Sequence, residues 1–443
     1  MASTYLTRTE GTATSRRKFT ISAWIKKCAV PGSEQHFYNS FLSSQYRFMV
    51  YFNSSEQLQV RNVDNNSANA NYITTRVFRD TNSLYHIVVE VDTTQATASD
   101  RIKIYVNGVE ETDFGTETDP SQNTDLSLGS SSYTTNIGRY GGGSNNFDGS
   151  MSHYHFIDGT AYDADTFGET DSTTGEWKPN TSPSVTYGTN GFFLKFENAS
   201  SFGEDSSGND NDFTSNGSPT QLVDTPTNVL ATYNPLNNRA VLDNCNTSVD
   251  GSTDGAILFH SSSTLGTDQG KWYMEFKSLT TSNKNGIVGV TYDPAEQNRN
   301  NHYIGQNTYS WGYSHDGNYY HNTSATSYGD TWTGNDILGI AIDLDNNYLY
   351  FSKNGVWQNS GDPTSGATGT GGIAIDSGET YFFATGDTDT TYVNAFDGNF
   401  GNGYFGTTAV TSGNQDDAGY GTFEYDVPTG YYTLNTKNIN TYG

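Results

Sequence analysis

The sequence predicts an almost entirely β protein built as two sandwich domains in tandem. The chain has 443 residues, which is too many for one ordinary core and suits two domains of roughly 200 residues. It contains 31 Tyr, 24 Phe and 47 Gly, while only 16% of its residues are charged. Aromatic residues pack well on pleated sheets and glycines mark tight turns, so this composition favours strands over helices. Apolar residues also alternate with polar ones over many short stretches, which is the period of a strand.

Several stretches of the first half have the pattern of a strand with one buried face. Phe19, Ile21, Ala23 and Ile25 alternate with other residues, and the stretch around Phe48 repeats the pattern. We therefore expect half-buried strands at these places. The strands predicted in the first half cover residues 19–25, 46–52, 85–91, 102–106, 151–156 and 192–196.

Two Asn-Gly pairs predict tight hairpin turns, one in each half of the chain. Asn107-Gly108 directly follows an apolar stretch, and Asn354-Gly355 does so in the second half. Both residue types tolerate positive φ, which the two-residue turns of β-hairpins require. A single helical turn is expected at residues 163–167.

A change of composition divides the chain near residue 222. Residues 201–235 are rich in Gly, Asp, Asn, Ser and Pro, which predicts a linker or surface loops. We therefore expect one domain at residues 1–222 and a second at residues 223–443. The strand pattern then resumes, and the strands predicted in the second half cover residues 272–276, 337–344 and 348–351.

The charge balance argues against nucleic acid and anionic membrane as partners. The chain has 22 Lys and Arg against 49 Asp and Glu, so its net charge is −27. Binding to a phosphate backbone needs cationic groups that displace counterions, and this chain has few of them. No apolar run is long enough to span a membrane, so we expect no membrane insertion.

The start of the sequence and its cysteines bear on the cellular compartment. Neither the charged region nor the apolar region of a signal peptide is present, so we expect export with other help or release by lysis. Only Cys28 and Cys245 occur, which is not the cysteine density of a disulfide-stapled secreted module. Two free thiols are therefore expected.

The first half resembles a known type of binding domain. Residues 84–89 (LYHIVV), 104–109 (IYVNGV), 136–139 (NIGR) and 147–149 (FDG) look like parts of a laminin-G or concanavalin A-like domain. This resemblance implies a sandwich of jelly-roll-like topology. It also implies binding of sugars or proteins through loops at one end.

The second half resembles a SPRY domain. The similar strings are residues 270–275 (GKWYME), 340–345 (IAIDLD) and 350–357 (YFSKNGVW). SPRY domains are also jelly-roll-like sandwiches that bind partners through loops. The resemblances together predict a concanavalin A-like sandwich followed by a SPRY-like sandwich.

The pairing of the two domains resembles virion proteins of tailed phages from marine bacteria. The strings at residues 156–159 (FIDG), 167–171 (FGETD), 205–209 (DSSGN) and 434–438 (LNTKN) are similar to theirs. This resemblance implies a tail fibre, spike or capsid decoration on the virion surface, made in the host cytoplasm and released by lysis. It implies other virion proteins and a host-surface glycan or protein as partners, and a homo-oligomer. The alternative is a purely architectural virion subunit or a cell-surface adhesin without glycan binding.

Aromatic and amide side chains in two loop regions are the candidate ligand-binding residues. Aromatic faces stack on sugar rings, while Asn and Asp hydrogen-bond the hydroxyl groups. Three neighbouring aromatic residues, Trp311, Tyr313 and Tyr320, are expected in the core instead. The candidates are Tyr140, Asn145, Asn146 and Asp148 around a mobile glycine tip in the first domain, and Tyr303, Tyr319 and Tyr328 in the second.

No cofactor is expected, with calcium as the one candidate metal. Asp205, Asn209, Asp210 and Asp212 lie close together in a flexible stretch, and carboxylates on a loop suit a hard cation. The competing interpretation is that Asp and Asn simply favour turns.

A pair of histidines is the other metal candidate. His153 and His155 are two residues apart on a predicted strand, so their side chains are expected on one side. A metal site needs at least three converging ligands, and the sequence identifies no third. We therefore expect two solvent-facing histidines.

The sequence predicts binding without catalysis. Concanavalin A-like glycanases carry a Glu-x-Asp-x-x-Glu strand whose carboxyls flank the glycosidic bond. The nearest string begins at Glu169 and Asp171, but its last position is Thr174, and Glu176 comes two residues late. For nucleophilic catalysis, the sequence has no Gly-x-Ser-x-Gly string and no cysteine placed beside a histidine. We therefore expect no enzyme activity.

Overall fold

The computed structural model describes residues 4–251, 258, 260–280, 285–295, 302–390 and 394–443. The chain forms two compact units, Met1–Leu222 and Val223–Gly443. Each unit is built from largely antiparallel sheets around a core of its own. The prediction of an almost entirely β fold with two sandwiches is confirmed.

In the described part of the first unit, an eight-stranded and a six-stranded sheet enclose one core. The eight-stranded sheet has the order β10 (Phe114–Thr118), β6 (Ser67–Val77), β5 (Gln57–Asp64), β4 (Tyr46–Phe52), β3 (Gln35–Ser43), β11 (Thr134–Ile137), β1 (Tyr5–Thr9) and β16 (Thr214–Asn216). The six-stranded sheet has the order β15 (Phe192–Leu194), β12 (Gly149–Asp158), β2 (Lys18–Lys27), β7 (Tyr85–Asp92), β8 (Ile102–Val106) and β9 (Val109–Glu110). The remaining elements are the hairpin of β13 (Gly168–Thr170) and β14 (Trp177–Pro179) and the 3-10 turns Ala98–Asp100 and Ala164–Thr166.

The second unit has the same two-sheet plan in its described residues. One sheet has the order β17 (Tyr233–Asn238), β20 (His260–Ser263), β30 (Phe382–Asp387), β22 (Gly286–Thr291), β23 (Ser310–Ser314), β24 (Asn318–His321) and β25 (Ser324–Ser327). The other has the order β18 (Val241–Asp243), β19 (Ser248–Asp250), β31 (Ala395–Asn399), β21 (Lys271–Ser278), β26 (Ile337–Asp343), β27 (Tyr348–Lys353) and β28 (Val356–Trp357), with β29 (Ile373–Ala374) beside β27 and β34 (Tyr432–Thr433) beside β21. The remaining elements are the hairpin of β32 (Tyr404–Phe405) and β33 (Thr408–Ala409), the 3-10 segments Gln358–Ser360 and Pro363–Thr368, and a C-terminal α-helix (Thr436–Tyr442).

β2 is buried on both faces, where the sequence predicts one buried face. Its alternate residues, Phe19 to Ile25, belong to the core between the sheets, as predicted. Trp24 points the other way and is only 2% exposed. Residues that follow β12, among them Phe167 and Trp177, pack in a second apolar cluster on this outer side of the six-stranded sheet. The strand pattern alone could not show this cover, because it comes from a distant part of the chain.

Both Asn-Gly turns form as predicted. Asn107 and Gly108 have φ of 50° and 80° between β8 and β9, and Asn354 and Gly355 have 49° and 80° between β27 and β28. A Cβ atom on Gly108 would lie 2.8 Å from the ring of Trp177, so this glycine also allows the ring to approach. The expected helical turn is present as the 3-10 turn Ala164–Thr166.

The stretch predicted as a linker is in part an ordered piece of the first unit. Phe213 is 7% exposed and belongs to its core, and β16 pairs with β1 at the edge of the eight-stranded sheet.

The expectation of two free thiols is wrong, because neither Cys28 nor Cys245 is a free thiol. In the part of the chain that the structure describes, no helix is both long and apolar enough to cross a membrane.

Candidate functional site

The loop after β11, which carries the predicted ligand residues of the first domain, folds onto the eight-stranded sheet. The Gly141 N–H donates to the Asn39 side-chain oxygen at 2.7 Å, and the His36 N–H donates to the Asn145 carbonyl at 3.4 Å. Tyr140 and Asn145 are therefore held against the sheet, whereas the sequence suggests a mobile tip. Asn146 is exposed, and Asp148 is half-buried.

The loop covers the face of the sheet that is turned away from the core. In β4, Phe48, Val50 and Phe52 point into the core, so Arg47, Met49 and Tyr51 lie on the opposite face. Strand register then adds His36 of β3 opposite Tyr51 and Arg61 of β5 opposite Met49. We call this surface the Tyr140 face, which comprises Glu34, His36, Arg47, Tyr51, Arg61, Tyr140 and Asn145.

Aromatic rings pack against one another in the Tyr140 face. The ring centroids of His36 and Tyr51 are 4.3 Å apart and their planes are 8° from parallel. The Tyr140 ring lies 5.2 Å from His36, with Phe41 on another side at 5.4 Å. The guanidinium carbon of Arg47 is 5.9 Å from the centre of the Tyr140 ring. The guanidinium group of Arg47 therefore lies over the half-exposed Tyr140 ring.

Charged and amide groups surround these rings. The Glu34 carboxylate accepts a hydrogen bond from the Asn145 side chain at 2.9 Å and lies 3.2 Å from His36 Nε2. The hydrogen bond with His36 lowers the pKa of Glu34, and burial lowers the pKa of His36. Burial raises the pKa of Tyr51 to about 12, although its hydroxyl is hydrogen-bonded to Arg61. Tyr51 and His36 are therefore both neutral at pH 7.

Several buried nitrogen atoms of this face have no hydrogen-bond partner among the described residues. They are Nε and Nη1 of Arg47, Nε of Arg61 and Nδ1 of His36. Buried donors without partners are costly, above all when the group carries a charge. These four nitrogens lie beneath the surface of the face and are not exposed to a molecule bound there.

The sequence predicted two members of this face, Tyr140 and Asn145, but missed the others. Arg47 and Tyr51 alternate with the residues used to predict β4, so their side of the strand could have been read from the same period of two. His36 and Arg61 come from other strands. Only the register between strands brings them together, and no local signal gives that register.

The predicted ligand residues of the second domain do not form one exposed cluster. Tyr328 is 5% exposed and packs against Tyr313 and Phe351 in the core, so its prediction as a ligand-facing loop residue is wrong. Tyr319 lies in β24, not in a loop, and its half-buried ring meets Tyr328 edge to face. Tyr303 does lie in a loop, and its ring is half-buried beside Tyr320. Tyr328 fails as a ligand residue because its ring fills space between the two sheets.

The packing predictions for the same segment mostly hold. Trp311 is 2% exposed and Tyr313 is fully buried, as predicted. Tyr320 is half-buried, and its hydroxyl donates to Asp316 at 2.9 Å. Tyr320 is therefore at the border between core and surface.

The candidate calcium loop is organised by hydrogen bonds of its own. The Asp205 carboxylate accepts bonds from the backbone N–H groups of Phe193, Ser207 and Asn211 and from the Ser207 hydroxyl, at 2.8 to 2.9 Å. The Asn209 amide donates to two backbone carbonyls, Asp210 is exposed, and Asp212 accepts the Asp205 N–H. Among the described residues, no group of three or more His, Cys, Asp or Glu side chains is placed to hold a metal ion. The structure favours the turn interpretation over the calcium site.

The two histidines of β12 do not face solvent together. A bulge between Ser152 and His155 interrupts the pairing with β2, and His153 has a φ of 45°. His155 is 1% exposed, and its ring stacks on Phe193 with centroids 3.9 Å apart. The expectation of two solvent-facing histidines is therefore wrong, because the bulge changes the direction of the side chains and nearby aromatic residues cover His155.

The string that comes nearest to a glycanase motif lies in a surface hairpin. Glu169 and Asp171 belong to β13 and the turn after it, and Lys178 Nζ lies 3.3 Å and 3.1 Å from their carboxylates. Hydrogen bonds from the Thr173 and Thr174 N–H groups lower the pKa of Asp171 to about 2. Both carboxylates therefore pair with the same lysine.

Comparison with known families assigns a domain type to each half. Residues 1–165 match the concanavalin A-like lectin/glucanases superfamily. Residues 271–374 match the SPRY domain. The chain carries a concanavalin A-like domain followed by a SPRY domain. Both are typical binding domains and are generally non-catalytic.

Solved structures are similar to part of the chain at low sequence identity. The SPRY domain of human HERC1 is 16% identical, over 38% of this chain and 96% of its own, with a TM-score of 0.30. Stonustoxin is 17% identical over 38% of this chain and 27% of its own, with a TM-score of 0.30. A heptameric SAP-like pentraxin from Limulus polyphemus is 16% identical over 36% of this chain and 72% of its own, with a TM-score of 0.28. No curated protein sequence matches the chain.

Proposed function

We propose that this chain is a structural protein on the surface of a tailed-phage virion and binds host-surface glycan without covalent chemistry. The chain would belong to a tail fibre, a spike or a capsid decoration, be made in the host cytoplasm and be released by lysis. Its other partners would be virion proteins, and it would act as a homo-oligomer. The resemblance of several strings to virion proteins of marine phages and the tandem of two binding domains support this proposal.

The Tyr140 face is the observation on which glycan binding rests. Its half-exposed tyrosine ring suits the apolar side of a pyranose, and Asn145, Glu34 and Arg47 surround that ring with hydrogen-bonding groups. The loop that carries Tyr140 and Asn145 is already held against the sheet by hydrogen bonds, so binding would need little ordering of loose chain. Sugar recognition often combines these features: one aromatic platform with several polar groups around it.

Glycan binding is tested with the full chain on an array of bacterial surface oligosaccharides. We expect binding that Tyr140→Ala reduces at least tenfold and that Tyr140→Phe retains, because phenylalanine keeps the ring and its contacts with His36, Phe41 and Arg47. Equal binding by Tyr140→Ala and the wild type would exclude this face. A chain that binds no oligosaccharide but binds virion proteins would be the architectural subunit.

The virion location is tested separately. Antibodies against the chain should label intact particles at their periphery in negative-stain electron microscopy. Labelling of host cells in the absence of phage would instead support an adhesin. Particles that never bind the antibody, although the protein is detected among their components, would place the chain inside the assembly and contradict surface exposure.

A further inference from the structure

We infer that two copies of the chain pair through strand β25 of the second unit, edge to edge and antiparallel, with Thr326 on the twofold axis between them. This inference specifies the contact in the homo-oligomer of the proposed function and rests on that part of it. Three features carry it: the open hydrogen-bonding groups of β25, the absence of charge on this strand, and its match with a second copy of itself.

Strand β25 is the last strand of its sheet and is open to solvent. Among the described strands it pairs with β24 alone, and the side chains of all four of its residues, Ser324 to Ser327, are exposed. A strand in this position presents backbone N–H and C=O groups that can pair with another chain.

The pairing with β24 shows which backbone groups of β25 point outward. Just beyond the strand, the Tyr328 N–H donates to the Gly317 carbonyl at 3.0 Å. Hydrogen-bonded pairs alternate with other pairs along an antiparallel ladder, and the register has no shift here. Thr326 and Ser324 therefore bond to β24. The N–H and C=O groups of the residues between and beside them, Ala325 and Ser327, point to the open edge.

β25 lacks the features that usually protect a sheet edge. Natural edge strands carry charged residues, proline or bulges that hinder pairing with another chain. β25 has the sequence Ser-Ala-Thr-Ser and no bulge. By contrast, edge strand β10 contains Glu117 and a bulge, and β17, at the other end of the sheet that contains β25, has Pro235 and a bulge. Copies with a net charge of −27 repel one another, so an uncharged edge is a favourable place for them to meet.

The geometry of β25 also fits a second copy of the same strand. When Thr326 faces Thr326 of the second copy, Ala325 of each strand lies opposite Ser327 of the other. The outward groups then form two N–H to C=O bonds in each of these two pairs. The threonines on the axis form a pair without backbone bonds, whose side chains come close together, and such Thr–Thr pairs are favourable. Both copies use the same surface, as a closed twofold dimer requires.

The size of this contact predicts how strong the pairing is. A four-residue edge buries far less surface than the roughly 1,600 Å² of a standard interface, so we expect weak association in dilute solution. Copies fixed side by side on a particle meet at an effective concentration of about 1 mM, which favours weak contacts. β25 would therefore join neighbouring copies after assembly and leave the free chain largely monomeric.

The first test measures association of the full chain by sedimentation equilibrium, from about 10 μM to about 1 mM. The wild type should form a dimer within this range. Thr326→Lys and Thr326→Glu should each weaken the dimer at least tenfold, because like charges then oppose each other at the axis. An equimolar mixture of the two variants should restore it, since lysine then faces glutamate. Thr118→Lys, the same change at an exposed threonine of edge strand β10, is the matched control and should associate as the wild type does.

Disulfide trapping locates the axis independently. Neither Cys28 nor Cys245 is a free thiol, so an introduced cysteine supplies the reacting thiol. Thr326→Cys should link two copies on mild oxidation, because the Cα atoms of such a pair lie about 4.5 Å apart, within the range of a disulfide. Ser324→Cys should stay unlinked, because its two copies would lie about 14 Å apart along the strands.

The other outcomes separate failure of this inference from failure of the proposed function. If the wild type associates but the charged variants at Thr326 associate equally well, or their mixture does not restore the dimer, the copies meet at another surface and only the inference is overturned. If the wild type stays monomeric throughout the range, the homo-oligomer of the proposed function is overturned along with the inference. Glycan binding is measured on the oligosaccharide array and is not affected by either result.

Discussion

The imidazole of His36 lies face to face with the phenol ring of Tyr51, with centroids 4.3 Å apart. His36 is 1% exposed and Tyr51 is 2% exposed. Their strands pair directly, so the stack is fixed by the register of β3 and β4 and does not depend on loop conformation. The His36 ring of this pair also packs against the Tyr140 ring, so the Tyr140 face is anchored to paired strands.

The first prediction concerns the pKa of His36. Burial lowers it from 6.5, while the nearby Glu34 carboxylate opposes that shift. We expect a pKa below 6.5 in the wild type and a still lower value in Glu34→Gln, which removes the carboxylate charge. Nuclear magnetic resonance titration of the imidazole Hε1 signal measures both. A value unchanged by Glu34→Gln would contradict the contact.

This pKa also sets the sign of a pH effect on stability. Between the folded value and 6.5, the unfolded chain binds a proton that the folded chain does not. The contribution of His36 to the unfolding free energy is therefore complete above pH 6.5 and decreases as the pH falls towards the folded pKa. His36→Phe keeps the stack and should remove this pH dependence.

The second prediction compares two glycines with positive φ. Gly32 has a φ of 64° and nothing within 4 Å of an added Cβ, whereas an added Cβ on Gly108 meets the Trp177 ring at 2.8 Å. We expect Gly32→Ala to cost about 1 kcal/mol for backbone strain and Gly108→Ala to cost about 2 kcal/mol more because the ring must move. Chemical denaturation measures both unfolding free energies. Equal costs would show that Trp177 does not rest on the turn.

The third prediction concerns a buried ion pair in the first unit. Lys27 pairs with Glu56, their side chains are 0% and 4% exposed, and Lys27 Nζ also donates to the Phe78 carbonyl at 3.1 Å. Glu56→Gln should destabilise the unit by about 3 to 5 kcal/mol, because it leaves a buried ammonium without its counter-charge. Lys27→Met combined with Glu56→Gln should cost less than the sum of the single changes. Additive costs in denaturation experiments would contradict coupling.

How much of the fold and of the candidate site could be predicted from the sequence depends on whether neighbouring residues determine the feature. The alternation around Phe48 and Val50 gave the strand and its core face, and the Asn-Gly pairs gave the two turns, because neighbouring residues determine these features. The Tyr140 face was found only in part, since Arg61 reaches it through the pairing of β5 with β4. Tyr328 was misplaced for a similar reason: a polar neighbourhood in sequence does not show that the ring turns inward between two sheets.

The fourth prediction concerns pH and the second unit. Glu275 is fully buried and accepts hydrogen bonds from the N–H groups of Glu424 and Tyr425 at 2.9 Å. Burial outweighs these bonds and raises the pKa from 4.5 to about 7. The folded chain thus holds a proton that the unfolded chain releases near pH 4.5. The stabilising contribution of this residue is complete below pH 4.5 and is lost as the pH rises through about 7.

The measurement for Glu275 is the unfolding free energy of wild type and Glu275→Gln between pH 4.5 and 7.5. The wild type should lose about 3 kcal/mol relative to the variant over this range, because the pKa is 4.5 in the unfolded chain and about 7 in the folded chain. The comparison cancels the titration of all other groups. A difference that does not change with pH would show that burial does not raise the pKa of this carboxyl.

The fifth prediction distinguishes a calcium site from a hydrogen-bonded turn at residues 205–212. The Asp205 carboxylate already accepts four hydrogen bonds from the chain, whereas Asp210 is exposed. Asp205→Asn should therefore destabilise the first unit by on the order of 3 kcal/mol, because an amide nitrogen cannot accept from these donors. Asp210→Asn, the same change on the same loop, should be nearly neutral.

Millimolar calcium should leave the melting temperature of the wild type and of both variants unchanged. A calcium-dependent rise in the wild type that Asp210→Asn abolishes would mean that carboxylates of this loop bind a cation, since a hydrogen-bonded turn gives Asp210 no such role.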